Sequence, residues 1–308
     1  MHDLQLTDMA NGAADLVRTI MAEIRPKLIE AAVSGDRGER RNARHAGNFL
    51  SRHDLWMHSR YRELLTPLLR RFVYASEEAE PQVIGDDPDP DLCVLVDPLD
   101  TSELAVRGLN GYTHLMIYSR SLARPVVAVV GDIFHHVQLY VAARDGTGSD
   151  RAVLTTADGQ VHPLRSPQPR RLSDALITNF LMRPTERFVP LAKQTRLIEA
   201  LGAADDAGQA RGRLGVDFGS IGLCHVAAGF TDAMIEFAKG FAVWDLAPGQ
   251  YVLAAAGGVV VGLDGRELPL DFGFDSLDGI AAAMTQRRKF IATGTLDLAE
   301  ALVDRLEH

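Results

Sequence analysis

The stretch Leu92-Cys93-Val94-Leu95-Val96-Asp97-Pro98-Leu99-Asp100-Thr101-Ser102 decides the fold and most of the chemistry. Its apolar start is a run of strand length that meets an aspartate followed by a proline. Pro98 pushes Asp97 towards extended geometry, so the strand is predicted to end at Asp97 and the chain to turn sharply. Such a turn lets the Asp97 carboxylate, the Leu99 carbonyl and the Asp100 carboxylate converge. These hard oxygens suit Mg²⁺ better than zinc, which usually recruits His or Cys. The residues after Asp100 can open a helix, whose free N–H groups would add an anion site beside the metal. Asp100 followed by Glu103 also matches a capping box, which would explain strand, turn and helix without any chemistry. A cap leaves Asp97 unexplained, because a carboxylate at the end of a buried strand is costly without a cation.

Working outward, apolar residues Leu16, Ile20, Ile24 and Leu28 recur at helical spacing and predict a helix over 8–32, ended by the Ser34-to-Gly38 break. A second helix is predicted over 54–71, then an acidic, proline-containing loop over 77–91. Strands follow at 114–119, 126–134 and 137–143, the last two forming a hairpin with His135 and His136 at its tip. Adjacent residues on a strand point to opposite faces, so these histidines make a poor ligand pair. Residues 149–171 carry Asp158-Gly159 and several prolines and read as a lobe boundary. Beyond it strands and helices alternate: a strand at 175–179, helices at 189–201 and from Gly219 to Gly229, a strand at 232–237, a helix at 245–256, strands at 259–263 and 290–292, and a helix at 296–306. Alternation of this kind predicts an α/β second half.

Composition sets the outer limits. With 308 residues, 46% hydrophobic and 24% charged, the chain reads as folded and globular, with room for two packed lobes. The net charge of -9 disfavours nucleic acid as a partner, because phosphate backbones are bound through Lys and Arg. The arginines between Arg37 and Arg71 alternate with apolar residues and read as a solvated helix face. Cys93 and Cys224 have no metal or redox spacing and read as reduced core thiols. No apolar run approaches membrane-span length and the start lacks a leader pattern, so a cytoplasmic protein without membrane contact is expected.

Two further blocks bear on the turn. Glu77-Glu78 lies upstream of it, and Trp244-Asp245 precedes Ala256-Gly257-Gly258. Together with Asp97-Pro98-Leu99-Asp100, these resemble the inositol monophosphatase family of metal-dependent, lithium-sensitive phosphatases, whose relatives include fructose bisphosphatases and bisphosphate nucleotidases. The blocks fit in order from about Asn48 to Gly258. The resemblance implies a layered αβαβα sandwich of α+β and α/β character. It implies an N-terminal α+β lobe over 1–165 with most metal ligands, and a C-terminal α/β lobe over 166–308 with Asp245 and substrate contacts. The ligands it implies are Glu77, Asp97, the Leu99 carbonyl, Asp100 and Asp245, holding two or three Mg²⁺ ions. Residues 48–54 look like the family's Asp-x-Val-Thr-x-x-Asp segment, so Asp54 would pair with the Ser102 hydroxyl to orient and deprotonate water. Thr101, Ser102, Gly219, Ser220, Glu236 and Lys239 match positions that contact phosphate or the leaving alcohol. The implied activity is hydrolysis of a phosphate monoester of a small polyol, sugar or nucleotide, in a homodimer.

The chain also departs from the family pattern. Thr101 stands where the family has Gly, and a Cβ there narrows the approach of phosphate to the backbone. Glu103-Leu104 replaces Thr-Asn, Ala255 replaces a Glu, Pro248 replaces a small residue, and Val216 replaces an Arg before Gly219. Every side-chain ligand is kept while the substrate's surroundings have drifted. These departures motivate a second reading, a family member that has lost turnover and serves as a metal- or ligand-binding subunit or acts on a specialised biosynthetic substrate. Other hydrolase classes fall away: the Asp97–Asp100 gap is too long for a haloacid dehalogenase nucleophile block, and neither Gly-x-Ser-x-Gly nor a P-loop occurs.

Overall fold

The computed structural model describes residues 7–45, 48–135, 137–165, 170–204 and 208–307. His136, residues 166–169 within the expected lobe boundary, and the first residues, on which the expectation of no leader rested, lie outside that range. Two compact units are present, one of Met1–Pro163 with Leu270–Thr285, the other of Leu164–Pro269 with Gln286–His308.

The first unit opens with α1 (Asp8–Ser34), whose start is fixed by the Thr7 hydroxyl accepting the Ala10 N–H and whose end is fixed by Gly35 at φ 76°. Its buried stripe of Leu16, Ile20, Ile24 and Leu28 joins Met57, Tyr61 and Leu65 of α2 (Arg52–Leu69) in one core with the sheet residues Val94, Val96, Leu115, Ile117 and Val129. The sheet is built from β1 (Phe72–Ser76), β2 (Ala79–Ile84), β3 (Leu92–Asp100), β4 (Tyr112–Ser119), β5 (Arg124–Asp132), β6 (Val137–Arg144), β7 (Asp150–Thr156) and β8 (Val161–Pro163). The strands lie in the order β2-β1-β3-β4-β5-β6-β7-β8, with β1 parallel to β3 and the other neighbours antiparallel. A short helix, α3 (Ser102–Ala105), follows β3.

Two segments that read as loops in the sequence carry strands. The acidic stretch contains β2, an edge strand on which a proline is tolerated and one face is wet. The expected linker holds β7 and β8, with Asp158-Gly159 as their hairpin turn and Gly159 at φ 84°.

The second unit contains β9 (Leu176–Asn179), α4 (Phe188–Ala192), α5 (Thr195–Leu201), β10 (Arg213–Val216), α6 (Gly219–Ala228), β11 (Ala233–Ala242), α7 (Val243–Ala255) and β12 (Val259–Val261). After α8 (Leu277–Thr285) come β13 (Arg287–Thr293) and α9 (Leu296–Val303). Its sheet runs β10-β9-β11-β13-β12, parallel across β10, β9 and β11 and antiparallel beyond. The single helix predicted over 189–201 is two helices, broken at Lys193-Gln194.

The segment with α8 was expected in the second lobe but packs with the first unit. Phe272 and Phe274 lie against Tyr118, and the Arg120 guanidinium donates to the Phe274 and Asp275 carbonyls. The architecture is thus a layered α+β fold of mixed sheets and helices. Cys93 and Cys224 are free and buried, and no described helix is long and apolar enough to cross a membrane.

Candidate functional site

The expected sharp turn at Asp97 is not formed. Strand β3 runs on to Asp100, with Asp97 opposite His114 and Asp100 opposite Tyr112 on β4. Three steps along β3 therefore face two along β4, the mark of a bulge, and Pro98 sits inside it, where no ladder donor is needed. The bulge has a chemical consequence. Residues three apart on a regular strand point to opposite faces, and one inserted residue turns them to the same face. Ligand atoms of Asp97, Asp100 and His114 consequently lie within 4.8 Å of one another. His114 is fully buried, its Nδ1 3.7 Å from Asp97 Oδ2 and its Nε2 3.4 Å from Asp100 Oδ2. Thr113 next to it donates to the Asp97 carbonyl at 3.3 Å and is itself hydrogen-bonded to the Tyr61 hydroxyl of α2 at 2.6 Å. Helix, strand and bulge are pinned together at one residue.

Sequence reasoning missed His114. The available signal was a polar side chain leading into the apolar run Leu115-Met116-Ile117, but only the register shows that it faces Asp97.

Beyond the bulge, Thr101 takes the left-handed conformation (φ 59°, ψ 37°), which a β-branched residue rarely adopts. Its hydroxyl donates to the Asp100 carbonyl at 2.6 Å and makes no helix cap. The Asp100–Glu103 capping box is therefore absent, and Glu103 pairs with Arg107 instead. The helix expected here is the single turn of α3, so little helix dipole acts at Ser102.

A capping box does form on α2. Asp54 accepts the Ser51 backbone N–H at 2.8 Å and the Ser51 hydroxyl at 2.6 Å, while the Ser51 oxygen accepts the His53 N–H. The Ser102 side chain acts to lower the Asp54 carboxyl. Burial pushes the Asp54 carboxyl up to about 6, against the lowering pull of the Ser51 hydrogen bonds and the Ser102 side chain. Burial and the neighbouring Asp54 charge likewise raise Glu78. Glu77 directly follows β1, with its N–H on the Val96 carbonyl at 3.1 Å and its own carbonyl accepting His45 Nε2 at 3.2 Å. Its backbone thus sits one residue from Asp97, although the cluster of converging ligand atoms does not take in Glu77. Leu99 is buried within the bulge.

In the second unit the expected substrate residues are engaged by the fold. Ser220, on the first turn of α6 after Gly219 at φ 47°, is fully buried. Its hydroxyl donates to the Asp245 carbonyl at 2.7 Å and accepts the Gly249 N–H at 3.1 Å, which ties α6 to α7. Glu236 is 1% exposed and sits at the register break of β11. One of its oxygens pairs with Arg187 at 2.7 Å, and the other accepts the N–H groups of Ala238, Lys239 and Gly240. Ser220 thus joins two helices, and Glu236 closes the loop of a distorted strand. Lys239 forms an ion pair with Glu186 at 2.6 Å. Asp245 stands on the first turn of α7.

The donor set at the bulge suits a divalent cation. A buried and a partly buried carboxylate that meet at short range repel each other, a repulsion a cation between them would offset, and both supply the hard oxygens such ions take. The imidazole adds a softer donor.

Among known proteins, the Nus factor SuhB of Pasteurella multocida is 28% identical over 179 residues, which are 58% of this chain and 59% of that protein; the match spans less than two thirds of the relative. The extragenic suppressor protein SuhB of Bartonella henselae superposes with a TM-score of 0.64 at 20% identity, covering 94% of this chain and 98% of that one. A calcium-bound inositol monophosphatase family protein of Staphylococcus aureus gives 0.66 at 15% identity, covering 94% and 92%. These structures share the layered α+β fold. The sequence profile of the inositol monophosphatase family matches residues 5–302, and the chain belongs to that family.

Proposed function

We propose that the chain hydrolyses the phosphate monoester of a small polyol, sugar or nucleotide with Mg²⁺ as the family's divalent cofactor. The family as a whole supports a metal-dependent phosphatase. The observation that carries the reading to this chain is the convergence of ligand atoms of Asp97, Asp100 and His114 within 4.8 Å of one another at the bulge of β3. Asp97 and Asp100 would hold the ion, with Glu77, the Leu99 carbonyl and Asp245 as further ligands on the family pattern alone. A divalent ion held there lowers the pKa of a bound water and neutralises charge on the phosphoryl group. Ser102 takes the proton of the attacking water as it hands its own to Asp54, whose raised pKa suits a base working near neutrality. The Thr101 and Ser102 backbone faces the phosphate in this reading, and Gly219 and Lys239 remain proposed contacts to the leaving alcohol.

Ser220 and Glu236 are not carried forward as substrate contacts, because their polar atoms are used within the second unit. The exclusion of nucleic acid is not carried forward either, since one relative is a Nus factor. A cytoplasmic homodimer is the accompanying proposal, to be tested by light scattering and cell fractionation.

The deciding experiment is phosphate release with Mg²⁺ over a panel of sugar, inositol and nucleotide phosphates. Turnover on one class identifies the substrate. Silence across the panel with Mg²⁺ still bound favours the second reading, a diverged binding subunit or specialised enzyme, for which the left-handed Thr101 is the motivating observation.

A further inference from the structure

We propose that His114 is itself a metal ligand, and that it shifts the selectivity of the Asp97–Asp100 site from Mg²⁺ towards first-row transition cations such as Mn²⁺ and Co²⁺. The inference rests on the metal centre of the proposed function and concerns a residue that the family motifs above do not include. Its basis is the register. Asp97 and His114 are direct cross-strand partners, so their side chains share a face, and the bulge turns Asp100 to that same face.

The imidazole is fully buried, with one ring nitrogen directed at each carboxylate. Separations of 3.4 and 3.7 Å exceed an ordinary N–H···O hydrogen bond of about 2.7–3.2 Å. Two donors on one ion, each bonded at about 2.1 Å, lie roughly 3.0–3.5 Å apart. The His114 Nε2 to Asp100 distance falls in that range, so Nε2 is the ligating atom. Nδ1 then faces the Asp97 carboxylate at 3.7 Å, on the other side of the ring.

A site of oxygens alone favours Mg²⁺ or Ca²⁺ by charge and hardness. An imidazole adds affinity for cations later in the Irving–Williams order and adds little for Mg²⁺, which parts with water reluctantly. The surroundings support a fixed donor. Leu115 and Ile117 on β4 are fully buried, and Thr113 beside His114 is tied to both Asp97 and Tyr61. The ring therefore has no solvent-facing alternative.

The test uses the full chain stripped of metal. Mn²⁺ is titrated in and followed by electron paramagnetic resonance, Mg²⁺ is added as competitor, and the spin-echo modulation spectrum of bound Mn²⁺ is recorded. Wild type should show coupling to a directly bound ¹⁴N, and Mg²⁺ should displace Mn²⁺ only in large excess. His114→Leu should lose the ¹⁴N coupling and reduce the Mn²⁺-over-Mg²⁺ preference at least tenfold, while His114→Gln, which offers an oxygen, should retain Mg²⁺ binding without the nitrogen signal. Bound Mn²⁺ without ¹⁴N coupling in wild type overturns the inference and leaves the phosphatase reading standing. An unchanged preference in His114→Leu does the same. Failure to bind any divalent ion overturns both. The wild-type spectrum decides even where a variant fails to fold.

Discussion

The bulge of the first unit and the α6–α7 region of the second both bury polar groups, but they dispose of them in opposite ways. In the second unit every polar atom of Glu236 and Ser220 meets a protein partner: Arg187 and three backbone N–H groups for one, Asp245 and Gly249 for the other. In the first unit Asp97 and Asp100 are turned towards each other and towards an imidazole. Burial alone thus does not mark a site. What marks a candidate site is the convergence of two carboxylates and an imidazole on one point, the donor arrangement a divalent cation takes.

The largest expected effect separates these two arrangements. Asp97→Asn should lower Mg²⁺-dependent phosphate release by about a thousandfold or more, the scale of losing a preorganised charge at a reacting centre. Its melting temperature in chelator should not fall, because a buried like charge has been removed. The rise in melting temperature that a divalent ion gives wild type should vanish, since that rise is binding linkage. A variant that melts earlier in chelator and still hydrolyses substrate would make the bulge a structural element like Glu236.

Glu236→Gln tests the other side. The amide oxygen can keep the three backbone N–H bonds while the charge opposite buried Arg187 is lost, so about 3 kcal/mol or more of stability should go, measured by urea denaturation. Arg187 also lies over the Phe180 ring at 4.3 Å, and that contact should soften the loss. KM and kcat of the remaining folded protein should be unchanged. A raised KM at constant stability would return Glu236 to the substrate.

A smaller effect is expected from pH. In the proposed mechanism Asp54 is ionised when it takes a proton through Ser102, and burial pushes its carboxyl up to about 6, so kcat/KM should fall about tenfold per pH unit below that value. The stability sign is opposite to that of a salt-bridged aspartate. The folded pKa lies above the ordinary 3.8, so the unfolded chain releases this proton first. Asp54 alone therefore makes the fold less stable as pH rises from about 3.8 to 6, with no further change above. Asp54→Asn should abolish the acid limb of the rate profile and flatten this stability contribution. An acid limb that persists in Asp54→Asn assigns it to another group.

Much of this was legible in the chain itself. The apolar run of β3, the helical stripe of α1 and the order of the acidic blocks lead to the layered fold and the family. What stayed hidden depends on pairing between distant segments. His114 lies opposite Asp97 only because β4 meets β3 in one register, and the bulge that aligns Asp100 with them is a property of the pair of strands. A short-range reading therefore produced a turn. Strands β2, β7 and β8 were missed for a related reason: they are edge or near-edge strands whose polar and proline residues read as loop until a neighbour supplies the hydrogen bonds. The partners of Glu236 were hidden because Arg187 lies far back in the chain and the backbone donors belong to a break in β11.

The smallest effect concerns Thr101, where the two ways of handling strain and charge meet in one residue. Its positive φ costs a β-branched residue about 1–2 kcal/mol, which glycine would relieve. Thr101→Gly also loses the hydroxyl bond to the Asp100 carbonyl and makes the unfolded chain more flexible, terms of about 0.5–1.5 and 0.5–1 kcal/mol in the other direction. Stability should therefore move by less than about 1 kcal/mol. The informative readout is anion affinity. With Cβ removed, phosphate can approach the backbone at 101 more closely, so inhibition by inorganic phosphate should strengthen a few-fold, and KM for a turned-over ester should fall by a similar factor. If phosphate inhibition is unchanged while the melting temperature shifts, Thr101 belongs with Ser220 and Glu236 as a residue the fold has claimed, and the phosphate lies against another part of the bulge.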